Sequence, residues 1–80
     1  MDINILVFGV AKDILGGTSV SIAIDDGTSI QQLKAFLENR YPRLGQLSSY
    51  MIALNSEYAS GSEIINERDE IAIIPPVSGG

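Results

Sequence analysis

The sequence predicts an α+β fold, a mixed sheet of four or five strands packed on one main helix with a flexible C-terminal tail. Three observations predict it. Apolar residues recur at every second position in Ile3, Ile5, Val7 and again in Val20, Ile22, Ile24, the period of a strand with one face in a core. One segment, 29–40, carries apolar residues at helical spacing instead. The chain then closes on Pro75-Pro76-Val77-Ser78-Gly79-Gly80, where prolines stop a strand and project the last residues as a stiff stalk.

In chain order, Asp2 to Phe8 forms the first strand, with Ile3, Ile5 and Val7 inward and Asn4, Leu6 and Phe8 on the other face. Gly9 frees the backbone, and Val10 to Leu15 makes a short helical turn or irregular loop before the turn at Gly16-Gly17. No phosphate loop is present there, since neither Gly-Lys-Ser/Thr nor the dinucleotide-binding spacing occurs after the strand. Thr18 to Ile24 is the second strand, antiparallel to the first, and Asp25-Asp26-Gly27 closes it. Thr28-Ser29-Ile30-Gln31 reads as a capping box with threonine as the cap and glutamine reaching back. The helix runs from Ser29 to Arg40 with Ile30, Leu33, Phe36 and Leu37 on its apolar side, and Pro42 ends it. A loop holding Leu44 and Leu47 comes next. Met51 to Leu54 is a strand, Asn55-Ser56-Glu57 turns it into a short Tyr58-Ala59 strand, and Glu70 to Ile74 is the last.

One helix cannot bury its stripe alone, and a sheet with alternating faces is the only large partner surface available. If the first and last strands lie side by side and parallel at the centre, the arrangement is the β-grasp, or ubiquitin-like, layout. Residues 1–76 then make the β-grasp domain and 77–80 the extended Gly-Gly tail, starting beside Phe8.

Composition narrows the function. At 80 residues the core is small, because only about 60 to 65% of the surface of such a chain can be buried. There is little room for an internal active site. With no Cys and no His, disulfides, thiol redox chemistry, Cys/His zinc sites and histidine acid–base catalysis are excluded. Ten acids against five scattered bases give a net charge of −5, so nucleic acid is not expected as a partner and a basic protein surface is. The same acidity would also serve solubility alone. No apolar run is long enough to cross a bilayer and no basic, cleavable leader opens the sequence, so the expectation is a cytoplasmic protein without a membrane partner.

With Ile71 and Ile73 toward the helix, Ala72 and Ile74 face away beside Leu6 and Phe8, and no second helix covers them. An exposed apolar patch, joined by Tyr58, is expected at the root of the tail; such patches mark interfaces. The competing expectation is that Val10 or Leu47 folds over this face. The paired acids Asp25/Asp26 and Asp69/Glu70 sit where turns favour acids and lack a third ligand, so they read as structural and no metal is expected. Ser78 has no histidine to activate it. There remains the terminal carboxylate of Gly80, at a tip that two glycines allow into a narrow channel. A glycine-rich end is also the ordinary unpacked end of many domains.

The stretches Val7-Phe8-Gly9-Val10-Ala11-Lys12-Asp13-Ile14-Leu15-Gly16, Ala53-Leu54-Asn55-Ser56-Glu57-Tyr58 and Asp69 to Gly80 resemble the MoaD-type sulfur carriers of the ThiS/MoaD family, the small subunits of molybdopterin synthase. The resemblance spans the chain. Its most specific block is Pro-Pro-Val-Ser-Gly-Gly, because carriers for thiazole synthesis or tRNA thiolation share Gly-Gly but generally not the four residues before it.

The resemblance implies that an E1-like enzyme uses ATP to adenylate Gly80, that a sulfur donor then replaces AMP, and that the Gly80 thiocarboxylate (1-thioglycine) donates sulfur to a cyclic pterin phosphate in a large subunit. The chain itself binds no cofactor in this scheme. Gly79 and Gly80 would be the reacting end, and Leu6, Phe8, Lys12, Tyr58, Ile74, Pro75, Pro76, Val77 and Ser78 would meet partners, within a heterotetramer of two small and two large subunits. Lys12 stands where the family often has arginine, keeping charge but losing bidentate pairing. Two alternatives stand beside this reading: a carrier for another thiolation pathway, and a β-grasp adaptor whose tail is inert.

Overall fold

A computed structural model describes residues 1–47 and 50–75. Five strands form one mixed sheet: β1 (Asp2–Val7), β2 (Ser19–Ala23), β3 (Met51–Leu54), β4 (Glu57–Tyr58) and β5 (Ile71–Ile74), in the spatial order β2-β1-β5-β3-β4. Three helices join them: α1 (Ala11–Leu15), α2 (Ile30–Arg40) and α3 (Pro42–Gly45). The fold is the ubiquitin-like β-grasp, with β1 and β5 parallel at the centre and the other pairings antiparallel.

Period two sends Ile3, Ile5 and Val7 of β1 and Ile71 and Ile73 of β5 to one face, each no more than 2% exposed. Ile30, Leu33 and Leu37 of α2 close over them, with Ile22, Leu44, Ile52 and Ile65 completing one cluster. Among the described residues no polar or charged residue is buried, so the core is apolar. Val20 and Ile24, expected inward with Ile22, are half-buried and pack on the edge of this cluster.

Helix α2 departs from the sequence reading in two places. Its cap is Ser29, one residue later than expected: Ser29 Oγ accepts from the Gln32 amide at 3.2 Å, and Gln32 Oε1 accepts from the Ser29 amide at 2.9 Å. Thr28 instead donates its hydroxyl to the Asp25 carbonyl at 2.6 Å, closing the turn before the helix. Phe36, expected on the inward stripe, is 42% exposed. Three residues after Leu33 it falls short of the core line that Ile30, Leu33 and Leu37 already fill on this short helix.

The segment after Arg40, expected as loop, contains α3. Pro42 is a poor continuation of α2 but suits the first turn of a new helix, where its missing N–H is not needed. Leu44 is thereby fully buried. Between α2 and β3, the Tyr50 hydroxyl donates to Glu38 Oε2. Burial pushes the Tyr50 phenol well above its ordinary range, and the Glu38 carboxylate adds to this, so it stays a donor. Lys34 Nζ lies 5.1 Å from the same ring.

Two connections are held by side chains. Asn55 and Ser56 have left-handed backbones (φ 53° and 70°), the geometry of a two-residue hairpin turn between β3 and β4. Asn55 then reaches the entrance of β5: its Nδ2 donates to Asp69 Oδ1 at 3.0 Å and its Oδ1 accepts from the Glu70 amide at 2.9 Å. Asp69 Oδ2 accepts from the Asn66 amide at 2.7 Å. The Asn55 bond first, and the Asn66 amide second, hold the Asp69 carboxyl below its usual range. The Asp69 carboxylate is thus a turn fitting, as expected, while Asp25 closes its turn through its backbone carbonyl.

The cap assignment predicts that Ser29→Ala costs about 1 kcal/mol of stability in denaturant titration, with Thr28→Ala costing clearly less. A larger loss at Thr28 would restore the cap to that residue. The Asn55 clamp has a pH signature. A carboxyl whose folded pKa is depressed contributes stability above its unfolded value, which is lost as pH falls through the folded value. The destabilisation caused by Asn55→Ala should therefore shrink as pH is lowered below about 4. It should not vanish, because the bond to the Glu70 amide does not titrate.

Candidate functional site

The sheet face opposite α2 is the part of the molecule that its own helices leave open. Register assembles it: Leu6 lies beside Ala72, Ala72 beside Ala53, Ala53 beside Tyr58, and Met51 beside Ile74. These residues alternate with the buried Ile5, Val7, Ile71 and Ile73, so the parity that fills the core also faces this row outward. Phe8 continues the same face beyond β1; its amide donates to the Ile73 carbonyl at 3.3 Å and fixes it to β5.

Together Leu6, Phe8, Ala53, Ser56, Tyr58, Glu70, Ala72 and Ile74 line a groove of about 330 Å³. Leu6 is 38%, Phe8 49% and Tyr58 64% exposed, a concentration of large apolar surface that in water favours a partner. The expectation that Val10 or Leu47 would cover the face is not met: Val10 is itself 51% exposed, Leu47 packs on the core cluster, and neither lines the groove. Glu70 gives the groove an acidic rim, in keeping with a net charge of −5.

Of the residues singled out from the sequence, Leu6, Phe8, Tyr58 and Ile74 come together here. Pro75 comes directly after Ile74 and packs against Gly9, at the groove's end. Lys12 is exposed on α1 and is not part of the groove lining. Pro76, Val77, Ser78, Gly79 and Gly80, and with them the expected stalk, lie outside the described residues.

Sequence reasoning missed Ala53, Ser56 and Glu70 in the lining, and Met51, 43% exposed beside Ile74. The signal was available only through register: once β3 is paired antiparallel to β5, Met51 and Ala53 must share the face of Ala72 and Ile74. A larger open depression of about 490 Å³, lined by Asp25 to Thr28 and by Phe36, shares no residue with β1 or β5 and lies apart from the tail root. Among the described residues, no group of three or more carboxylates is placed to hold a metal ion.

Comparison with known proteins converges on one family. The ThiS family profile matches residues 5–80. The molybdopterin synthase sulfur carrier subunit of Dictyostelium discoideum is 41% identical over 82 residues, covering 96% of this chain and 94% of that protein. Its counterpart from Arabidopsis thaliana is 36% identical over 81 residues, covering 100% of this chain and 84% of that protein. Among solved structures, SAMP1 from Haloferax volcanii superposes with a TM-score of 0.83 at 22% identity over the whole of both chains, a likeness of fold. A chain from the complex of subunits 1 and 2 of molybdopterin-converting factor from Helicobacter pylori 26695 gives 0.70 at 26% identity, again over the whole of both. With a β-grasp core, an open groove beside Pro75 and sequence similarity along its full length, the chain belongs to the ThiS family.

Proposed function

We propose that this chain is the sulfur-carrier subunit of a molybdopterin synthase, with Gly80 as the sulfur-bearing residue. The observation that carries the proposal is the apolar groove at Ile74 and Pro75, the point from which the chain runs on to Gly79-Gly80. A surface that binds a partner next to the root of a thin tail suits a protein that presents its end to another protein's active site. Relatives named as molybdopterin synthase sulfur carriers, similar over the full length, support the same reading. The alternatives, a carrier for another pathway or an inert adaptor, draw no support from those relatives.

The chemistry starts from what a carboxylate lacks. Its oxygen is a poor leaving group, so an E1-like partner must first join Gly80 to AMP, releasing pyrophosphate from ATP. A sulfur donor then displaces AMP and leaves a thiocarboxylate. That sulfur is ionised and soft at neutral pH, comparable with an activated thiolate. Inside the large subunit it attacks the cyclic pterin phosphate to give a thioester. Water cleaves the thioester carbonyl–sulfur bond and returns the Gly80 carboxylate, and two such rounds, each using one thiocarboxylated chain, build the dithiolene. The groove docks both the activating enzyme and the large subunit in this scheme, with Leu6, Phe8, Tyr58 and Ile74 as anchors and the segment Pro75 to Ser78 entering the partner. Assembly as two small and two large subunits belongs to the proposal.

Reconstitution with the large subunit and precursor tests it. Thiocarboxylated protein should yield the dithiolene product, and deletion of Gly80 should abolish transfer while leaving folding and docking nearly intact. Transfer retained without Gly80 would overturn the proposal. Phe8→Asp should weaken docking by about 2 kcal/mol, roughly 30-fold, without moving the melting temperature. Gly79→Val should dock but not turn over, because a branched Cβ jams a channel sized for glycine.

A further inference from the structure

Gly9 stands where β1 gives way to α1, with a left-handed backbone (φ 58°) that residues carrying a Cβ rarely adopt. Its second peculiarity is its neighbour. A Cβ built on Gly9 would lie 2.7 Å from Cγ and 3.6 Å from Cδ of Pro75, whereas ordinary contact begins at 3.4 Å. The proline ring occupies the space a side chain would need.

Register explains why this contact matters. Val7 lies opposite Ile73, and the Phe8 amide donates to the Ile73 carbonyl. The next rung of a parallel ladder would run from the amide of residue 75 to the Phe8 carbonyl. Pro75 has no amide hydrogen, so that rung cannot form. In place of that bond, the Pro75 ring is seated on Gly9. The seat is tied down in turn, because the Gly9 carbonyl accepts from the Lys12 amide at 3.1 Å and so belongs to the first turn of α1.

We propose that Gly9 is a positioning residue for sulfur transfer: its missing side chain forms the seat of the Pro75 ring and thereby aims the segment that ends in Gly80. The inference rests on the sulfur-carrier function proposed for this chain. Gly80 is five residues from Pro75, at most about 18 Å of chain, so the seat of the Pro75 ring fixes the point from which the segment ending in Gly80 starts. A misplacement on the order of 1 Å at a reacting centre can cost about 100-fold in rate.

Four thiocarboxylated proteins test this with the large subunit and precursor: wild type, Gly9→Ala, Pro75→Ala and the double variant. Docking affinity and the single-turnover transfer rate are measured for each. Gly9→Ala should dock within about twofold of wild type and transfer roughly tenfold more slowly. Pro75→Ala removes Cγ and Cδ, leaves only Cβ, 3.9 Å from the added methyl, and restores an amide able to bond the Phe8 carbonyl, so relative to Pro75→Ala alone the further Gly9→Ala change should cost less than about twofold. Wild-type transfer by Gly9→Ala overturns the proposal. So does an equal penalty in both backgrounds, which would trace the defect to the left-handed backbone alone. In the wild-type protein, nuclear Overhauser contacts between Gly9 Hα and the Pro75 ring protons are expected, and their absence overturns the seat however the variants fold. Failure of the wild-type protein to transfer sulfur would count instead against the carrier function itself.

Discussion

The parallel pairing of β1 with β5 at the centre of the sheet governs most of what this molecule presents to its surroundings. Ile5 against Ile71 and Val7 against Ile73 are pairs brought together from opposite ends of the chain, and they form the floor on which α2 packs. Because strand side chains alternate, the same register turns Leu6, Phe8, Ala72 and Ile74 to the opposite face. Slipping the pair by one residue would exchange the two sets, exposing isoleucines and burying the groove. The core and the docking face are therefore one constraint seen from two sides, and neither can be changed by register without the other.

That constraint also accounts for a division of labour. A chain of 80 residues buries its apolar surface on one face of one sheet and has little interior left for an enclosed active site. Its chemistry is best placed at an end, and the central strand is the one that leads there. β5 emerges at the groove, Pro75 cannot form the next rung to β1, and Gly9 receives the proline ring. Under the proposed function, binding energy from the groove is spent on placing a thin tip in another protein's pocket, where activation and transfer are performed. In that scheme the small subunit supplies the nucleophile and the geometry of its delivery.

Much of this is legible in the residues. Period-two alternation gives the strands their faces, and the parity of Leu6, Phe8, Ala72 and Ile74 is enough to anticipate an open apolar surface near the tail. The features that are not legible depend on neighbours distant in sequence or on a choice between equivalent local candidates. Phe36 sits at helical spacing, and only the width of the core seen by α2 decides that it stays exposed. The cap falls one residue from its expected place because Thr28 and Ser29 are chemically equivalent candidates; the demand of the Asp25 turn for a donor assigns Thr28 elsewhere. α3 is hidden because a proline that ends one helix can begin another. Ala53, Glu70 and Met51 belong to the groove through pairing that local sequence does not reveal, and the contact of Gly9 with Pro75 spans almost the entire chain.

The central claim is that Gly80 carries sulfur. It is tested most directly by the intact mass of the chain purified from its native cell, read together with the mass of its C-terminal fragment. The account predicts a population in which one oxygen is replaced by sulfur, with the change confined to Gly80. A chain that carries only oxygen there, isolated from cells that express the pathway but are blocked in the transfer step so that charged carrier accumulates, would contradict it.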